Sequence, residues 1–443
     1  MNTIQRNKLF VAACLSLLVT SLSFGIRAGI LGGLGTQFNL NASQLASIAA
    51  TAFWGFPLAV IAGGLLVDII GMKWLLVGAF LLHLTGILLT IFATGYTTLF
   101  VSTLFIGLAN GTVEAACNPL VTALYPENKT TRLNYFHLWF PGGIVIGSLL
   151  VYATNKMIAP STTLGGIDIW KIQVAMMLIP TLIYGYLFSK LKFPVTERVA
   201  AGVSSKEMYK ALLNPLFIFM IILMFGTAIT ELFTGQWIDV LLKNVTDNAI
   251  LLLALETGVM VIGRGFAGPI VHKFSPAGVL LMSSILASLG LYMLGHTSGN
   301  MLFVGAIVFG MGVCYFWPTM LGFVSENLPK TGAVGLNLMG GAGMFAVSVY
   351  MMFMGGYYDR LVAGKLPAGS EVGTYASAAP GSNEANLYGE AKKAAGPEII
   401  NATLIIPLIL IVCFIGLNLY MRNRKKRGVA TSDSFIVKES AIS

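Results

Sequence analysis

Charged side chains are scarce in this chain, and so are cysteines. Only 10% of the 443 residues are Asp, Glu, Lys or Arg, whereas 56% are hydrophobic. A soluble globule of this length would need more polar side chains to cover its surface, so the composition predicts a membrane protein. The four cysteines have no CxxC or Cys/His spacing and indicate neither a disulfide framework nor a metal site.

Sequence motifs of enzymes are also missing. HExxH, GxSxG, CxxC and a P-loop in a suitable context do not occur, although polytopic enzymes generally carry clustered His, Asp or Glu at such spacings. We therefore predict neither an enzyme nor a cofactor.

Apolar stretches, by contrast, recur along the whole chain. Crossing about 30 Å of hydrocarbon takes about 20 helical residues, and the first stretch is too long for a signal peptide. We expect an all-α membrane protein with twelve transmembrane helices in two pseudo-symmetric six-helix halves. The predicted spans are residues 9–37, 44–70, 74–94, 98–125, 131–155, 170–192, 212–242, 248–272, 276–296, 299–324, 331–356 and 398–421.

Basic residues predict the orientation of these spans. When both termini are placed in the cytoplasm, Lys and Arg concentrate in the inner segments and few remain in the outer loops. The cluster RNRKKR after the last span is typical of a topology signal that contacts anionic membrane lipids. The net charge of +9 therefore does not indicate a nucleic-acid partner. We expect a multi-pass protein of the cell (inner) membrane with both termini cytoplasmic.

Two polar segments interrupt the apolar pattern. Residues 193–211 predict a cytoplasmic linker between an N-terminal half, 1–192, and a C-terminal half, 212–443. Residues 357–397 are rich in Gly, Ala and Ser and predict an irregular outer loop, and a basic cytoplasmic tail follows at 422–443.

The two halves resemble each other in spans 4 and 10. When Asn118-Pro119 is aligned with Trp317-Pro318, Gly111 coincides with Gly310, and a four-residue gap brings Asn134 onto Asn337. Parallel six-span repeats are a transporter architecture in which the substrate site lies between the halves, near the membrane midplane.

The loop after span 2 carries a family motif. The stretch GGLLVDIIGMK at residues 63–73 resembles the loop motif of the major facilitator superfamily, with Asp68 and Lys73 at its expected positions. An Asp at a helix end can accept hydrogen bonds from a neighbouring helix and from a basic residue. The corresponding loop of the second half, GRGFAGPIVHKFSP, keeps Arg264 but no Asp. We expect Asp68, Lys73 and Arg264 to act in gating.

A narrower resemblance involves span 4 and the loop after it. The stretch GLANGTVEAACNPLVTALYP followed by RLN is similar to the fucose permease group of sugar:proton symporters, in which Glu114 and Asn118 match the motif. Glu231 ahead of Trp237 is also similar to sugar porters. The resemblance implies proton-coupled sugar uptake. Span 1 departs from the group, because it has no carboxylate and carries Arg27 instead.

Four charged groups lie deep in predicted spans, where each costs at least about 2.5 to 3.5 kcal/mol on insertion scales. Arg27 and Glu114 are expected at similar depth in neighbouring helices. They form either a structural ion pair or a functional pair that contacts substrate or proton. We expect Glu114 to be the main proton-coupling residue, with Glu231 and Glu256 as further candidates that could instead only bond neighbouring helices.

A sugar site needs aromatic faces together with amide or carboxylate groups. His137 is expected to bind a sugar hydroxyl or relay a proton. The predicted substrate-binding residues are Arg27, Asn110, Glu114, Asn118, Asn134, His137, Trp139, Gln236, Trp237, Tyr315, Trp317 and Asn337.

These features together predict a secondary active transporter that takes up a monosaccharide or related small polar solute by alternating access, with a proton or sodium ion. The main alternative is an anionic solute, a sugar acid or organic carboxylate, bound through Arg27 by symport or exchange. A membrane sensor that binds without transport is a third reading. We expect a monomer.

Overall fold

Long apolar helices make up most of the chain. The structure is a computed structural model that describes residues 2–40, 42–157, 163–164, 167–234, 249–367, 369, 371–379 and 381–426. The helices up to residue 228 are α1 (Thr3–Gln37), α2 (Ala42–Ile70), α3 (Met72–Ile91), α4 (Tyr96–Leu124), α5 (Lys129–His137), α6 (Trp139–Met157), α7 (Ile169–Ala175), α8 (Leu178–Lys190), α9 (Glu197–Ala200), α10 (Ser205–Leu212) and α11 (Pro215–Ala228). A π-helical turn, Ile229–Phe233, continues α11.

The remaining described elements are also helical, apart from one short hairpin. β1 (Thr163–Leu164) pairs antiparallel with β2 (Ile167–Asp168). The later helices are α12 (Ala249–Gly265), α13 (Ala267–His296), α14 (Met301–Val313), α15 (Phe316–Asn327), a 3-10 turn (Pro329–Thr331), α16 (Gly332–Lys365), α17 (Val372–Ala376) and α18 (Asn383–Lys426).

The twelve-helix prediction is confirmed. Among the described residues, 11 helical segments are long and apolar enough to cross a membrane. The twelfth is α12, whose 17 described residues continue into the first turns of α13. Helix α13 breaks at Ser275, which has φ 61°, because the following Pro276 disfavours helical geometry in the residue before it. This break separates predicted spans 8 and 9.

Contacts divide the chain into two compact units. The first unit draws on Met1–Ile221 and Pro318–Met344, and the second on Ile222–Trp317 and Phe345–Arg427. The contact grouping does not follow the predicted linker at 193–211, because Pro318–Met344 packs with residues from the first half of the chain. The division into two sequence-related halves stays a prediction from the repeat.

The repeat-related glycines occupy matching positions in the two units. In the first unit, a Cβ at Gly111 of α4 would collide with the Phe56 carbonyl oxygen of α2. In the second, a Cβ at Gly310 of α14 would lie 2.9 Å from the Glu256 carbonyl oxygen of α12. Glycine therefore permits close helix contact at both positions, and any larger residue would force the helices apart.

The predicted outer loop at 357–397 is largely helical, which corrects the expectation of an irregular segment. Helix α16 continues to Lys365, and α18 begins at Asn383. The stretch NEANLYGEAKKAAG favours a helix because Ala, Glu and Lys have high helix propensity, and the Ser382 hydroxyl accepts a hydrogen bond from the Ala385 N–H. With 44 residues, α18 is about 66 Å long, more than the hydrocarbon thickness.

Candidate functional site

Glu114 is the centre of a buried polar cluster in the first unit. The residue is 4% exposed, and its Oε2 accepts a hydrogen bond of 2.6 Å from Asn118 Nδ2. His137 Nε2 lies 3.0 Å from Asn118 Oδ1, and His137 Nδ1 lies 3.8 Å from Glu114 Oε1. The structure thus brings three predicted site residues together.

Local sequence explains this arrangement. Glu114 and Asn118 are four residues apart on α4, so their side chains lie on one face of the helix. His137 ends α5, and α6 begins at Trp139. Pro141 has no N–H to donate to the His137 carbonyl oxygen, so the helical hydrogen-bond pattern is interrupted after the imidazole.

The hydrogen-bond directions imply that the cluster can hold a proton. A carboxylate only accepts, so Asn118 turns its NH2 group toward Glu114 and its carbonyl oxygen toward His137. His137 Nε2 is therefore the donor to Asn118. In a neutral imidazole, the other nitrogen would present a lone pair to the Glu114 carboxylate. One further proton, on His137 Nδ1 or on Glu114 Oε1, turns this repulsion into an attraction.

Asn110 belongs to a second buried network, centred on His83. His83 Nε2 lies 2.8 Å from Asn110 Oδ1, and His83 Nδ1 lies 2.7 Å from Tyr184 Oη. Asn110 Nδ2 donates to Ser23 Oγ at 3.3 Å. These side chains come from α1, α3, α4 and α8, so the network ties four helices together. No sequence motif marks His83, although a histidine in an apolar span signals a buried polar partner.

Arg27 and Glu114 do not form the expected ion pair. Across the described residues, the Arg27 guanidinium lies over the Phe24 ring, 5.1 Å from its centroid. Arg27 lines a small, mostly apolar cavity, in which Ser23, Thr90 and Thr103 supply hydroxyls. Equal depth in two helices did not predict contact, because depth does not determine the direction in which each side chain points around its helix axis.

In the second unit, Glu231 and Arg264 form a buried ion pair. Arg264 Nη2 lies 2.8 Å from Glu231 Oε1, and Arg264 Nε donates to the Cys314 carbonyl oxygen at 2.6 Å. Glu231 Oε2 accepts the Trp317 backbone N–H at 3.2 Å. Arg264, expected in a gating loop, is 1% exposed inside α12. Glu231 lies in the π-helical turn, a geometry frequent at functional sites.

Thr234 Oγ1, Glu256 Oε2 and Trp317 Nε1 are among the buried polar atoms of the second unit that have no hydrogen-bond partner. Unpaired buried polar groups cost free energy, so they are rare without a reason. Thr234 follows Glu231 by about one helical turn. The backbone N–H of Trp317 donates to the Glu231 carboxylate. A ligand with hydroxyl groups would supply hydrogen-bond partners for Thr234 Oγ1 and Trp317 Nε1.

Other predicted substrate-binding residues have structural contacts. The Tyr315 hydroxyl donates to the Gly263 carbonyl oxygen at 2.5 Å, and the Trp139 carbonyl oxygen accepts from Ser21 Oγ at 2.9 Å. Asn134 Nδ2 donates to the Thr130 carbonyl oxygen at 2.9 Å.

Asn337 contacts the same helix as Glu114. Its Nδ2 donates to the Ala115 carbonyl oxygen at 3.0 Å, within the first unit. Gln236 and Trp237 lie outside the described residues. In the part of the chain that is described, no group of three or more His, Cys, Asp or Glu side chains is placed to hold a metal ion.

Asp68 anchors the segment that was predicted as a linker. Its Oδ2 accepts a 2.7 Å hydrogen bond from Arg198 Nε, and its Oδ1 accepts the Thr196 hydroxyl hydrogen. Lys73 instead donates to the Ser189 carbonyl oxygen at 2.9 Å. The basic partner of Asp68 is therefore Arg198, which lies outside the family motif.

A second polar contact joins the start of α5 to the end of α15, and no sequence motif predicted it. Glu326 Oε1 accepts the Thr130 backbone N–H at 3.0 Å and the Thr130 hydroxyl at 2.6 Å. A carboxylate at a helix N-terminus is favoured by the unpaired N–H groups there. Lys129 Nζ lies 2.9 Å from the Glu197 carboxylate and donates to the Ser325 carbonyl oxygen at 3.2 Å. Burial raises the pKa of Glu197, and Lys129 opposes that rise.

Solved structures of transporters share this fold. A variant of the E. coli fucose:proton symporter is 17% identical, with a TM-score of 0.65 over 90% of this chain and 98% of that chain. A proton:xylose symporter bound to 6-bromo-6-deoxy-D-glucose is also 17% identical, with a TM-score of 0.65 over 89% and 95%. A human organic anion transporter is 11% identical, with a TM-score of 0.63 over 94% and 100%.

Curated relatives match over shorter regions. The facilitated glucose transporter member 10 of solute carrier family 2 from Xenopus laevis is 27% identical over 180 residues, 40% of this chain and 31% of the relative. A TsgA homolog from Buchnera aphidicola is 25% identical over 200 residues, 44% of this chain and 49% of the relative. The matches thus span 31% and 49% of the length of these relatives. The family model of the Major Facilitator Superfamily matches residues 13–364, so the chain belongs to the Major Facilitator Superfamily.

Proposed function

We propose that this protein is a secondary active transporter that takes up a monosaccharide, or a related small polar solute, together with a proton by alternating access. The observation that carries the proposal is the buried Glu114–Asn118–His137 cluster, to which we assign the coupling proton. The similarity to a glucose transporter and to the folds of two sugar:proton symporters supports a sugar as the solute.

The cluster couples the proton to the solute through desolvation. With the proton bound, Glu114 and His137 attract each other and their buried charge is compensated. When the proton leaves, a carboxylate faces an imidazole lone pair in a region of low dielectric, which is costly. Solute hydroxyls that donate to Glu114 offset this cost, so solute and proton influence each other's binding.

The second unit supplies groups suited to a sugar. Trp317 offers an indole N–H without a partner and an aromatic face, and Thr234 offers a hydroxyl. Sugars present C–H faces that stack on aromatic rings, and hydroxyls that both donate and accept. Glu231 stays compensated by Arg264, so its carboxylate holds the Trp317 backbone in place.

The polar contacts of the first unit form a gate in this proposal. Asp68 with Arg198 lies at the end of α2, and Glu326 with Thr130 lies between the end of α15 and the start of α5. The distribution of basic residues assigns these helix ends, and both chain termini, to the cytoplasmic side of the inner membrane. Opening toward the cytoplasm would break these contacts. In this proposal a single chain carries out transport, so the protein acts as a monomer.

Uptake by purified protein in proteoliposomes tests the proposal. Labelled neutral monosaccharides should accumulate when the outside is acidified and should only equilibrate without a gradient. A sodium gradient at equal pH serves as the comparison. Accumulation driven by sodium alone would replace the proton by sodium, and binding without accumulation would favour a sensor.

Arg27 supports a second candidate, an anionic solute such as a sugar acid or organic carboxylate. The guanidinium lines a cavity and, among the described residues, pairs with no carboxylate. Arg27→Ala should abolish uptake of an anionic solute and only weaken uptake of a neutral sugar. The exposed Arg422→Ala is the matched control. Full activity of Arg27→Ala with both solute classes would remove Arg27 from either mechanism.

A further inference from the structure

Glu256 is a buried carboxyl group to which the preceding mechanism gives no role. It lies on α12, is 2% exposed, and its Oε2 has no hydrogen-bond partner. No described residue pairs with its side chain. Helix α14 packs directly against this turn, since a Cβ at Gly310 would lie 2.9 Å from the Glu256 carbonyl oxygen.

Among the described residues, no charged group near Glu256 compensates it. Glu231 is close enough to interact with it electrostatically, and the two charges repel each other. Arg264 lies two turns further along α12. Its Nη2 donates a hydrogen bond to Glu231, and its Nε donates to the Cys314 carbonyl oxygen. Tyr315 donates its hydroxyl hydrogen to Gly263. Helix α14 carries no ionisable side chain, and His272 and Lys273 of α13 are exposed.

We infer that Glu256 binds a proton in the resting protein and is a second proton site, separate from the Glu114 cluster. An ionised carboxylate without a cation or a hydrogen-bond donor is very unfavourable in an apolar environment, whereas the neutral acid is tolerated. Arg264 pairs with Glu231, so Glu256 is left without a cation and is neutralised by a proton instead.

Proton release would change this arrangement. When the O–H bond of Glu256 breaks and the proton passes to water, the new carboxylate competes with Glu231 for Arg264. Glu231 also holds the Trp317 backbone N–H, so the competition reaches a residue assigned to solute binding. This coupling rests on the proposed symport, whereas the bound proton itself does not.

Infrared difference spectroscopy of the full chain in lipid nanodiscs tests the bound proton. Wild-type protein at pH 7 should show a carboxylic-acid C=O band that is lost in Glu256→Gln and retained in the exposed control Glu384→Gln. Glu256→Asp should shift the band rather than remove it. Glutamine resembles the neutral acid, so Glu256→Gln should fold with an unchanged melting temperature.

Two results would overturn the inference. Loss of carboxylate bands in Glu256→Gln at pH 7, with the carboxylic-acid C=O region unchanged, would show that Glu256 is ionised. A Glu256 band that appears only after sodium is replaced by potassium would assign the site to a sodium ion. Failure of sugar accumulation in wild-type proteoliposomes would instead contradict the symport and leave the spectral result standing.

Discussion

His137 Nδ1 lies 3.8 Å from Glu114 Oε1, and Asn118 bonds to both residues. Because Asn118 determines which imidazole nitrogen is the donor, the contact between His137 and Glu114 is attractive only when a proton lies on one of them. In the proposed mechanism this pair is therefore the protonation site. Its two residues come from α4 and from the end of α5, so in this proposal movement between these helices would change the proton affinity of the pair.

Replacing His83 should affect stability more than transport. His83→Leu leaves Asn110 Oδ1 and the Tyr184 hydroxyl without their buried partner, at about 1 to 3 kcal/mol for each orphaned group. We expect a lower melting temperature in detergent and, below it, an unchanged Michaelis constant for the solute. Normal stability with lost transport would assign His83 to the transport mechanism.

Breaking the buried ion pair should be severely destabilising. Arg264→Gln leaves the Glu231 charge uncompensated, which costs about 3 to 5 kcal/mol. The double variant Glu231→Gln/Arg264→Gln should recover much of this loss in thermal unfolding. The partly exposed pair of Lys365 and Glu398 is the control, since Lys365→Ala should cost about 0 to 1 kcal/mol. Equal losses of stability in Arg264→Gln and Lys365→Ala would contradict the account.

The gate proposal predicts a coupled effect of Asp68 and Arg198. Arg198→Ala removes the cation from a buried carboxylate and should slow solute uptake at least tenfold in proteoliposomes. The exposed Lys206→Ala should leave the rate unchanged. A double-mutant cycle with Asp68→Asn should show strong non-additivity, and additive effects would mean that the two residues act independently.

Glu197 should make the fold more stable in acid. Burial raises the pKa of its carboxyl group above 4.5, so the folded state binds this proton more tightly than the unfolded state. The stabilisation is complete below pH 4.5 and is lost as the pH rises through the raised pKa. Glu197→Gln should therefore show a smaller fall in melting temperature over this range.

Glu207 provides the control of opposite sign. Hydrogen bonds from Ser204 lower the pKa of its carboxyl group, so its contribution is present above pH 4.5 and is lost as the pH falls through the lowered value. Glu207→Gln should leave the slope above pH 4.5 unchanged. A wild-type slope that persists in Glu197→Gln would contradict this assignment.

Sequence predicted the parts of the fold that depend on length and hydropathy. Apolar runs predicted the twelve spans. The alignment paired Gly111 with Gly310, and the structure shows a close helix contact at each of them. The region 357–397 was misjudged because its polar, Gly-containing composition suggested a loop, whereas Ala, Glu and Lys form helix there.

The candidate site was partly predictable, for a related reason. Glu114 and Asn118 are readable from their four-residue spacing on one helix. The Arg27–Glu114 pair was expected from similar depth in neighbouring helices, which leaves the direction of each side chain undetermined. The partners His83, Arg198 and Glu326 come from distant parts of the chain, and only the packed structure brings them to Asn110, Asp68 and Thr130.

Simultaneous measurement of solute and proton uptake by Glu114→Gln tests the central claim most directly. Glutamine can still contact Asn118 but cannot exchange a proton. The account predicts that the variant loses accumulation driven by a pH gradient and solute-induced proton uptake, while solute exchange across the membrane at equal pH continues and Glu384→Gln behaves like wild type. Wild-type proton uptake and accumulation in Glu114→Gln would contradict it.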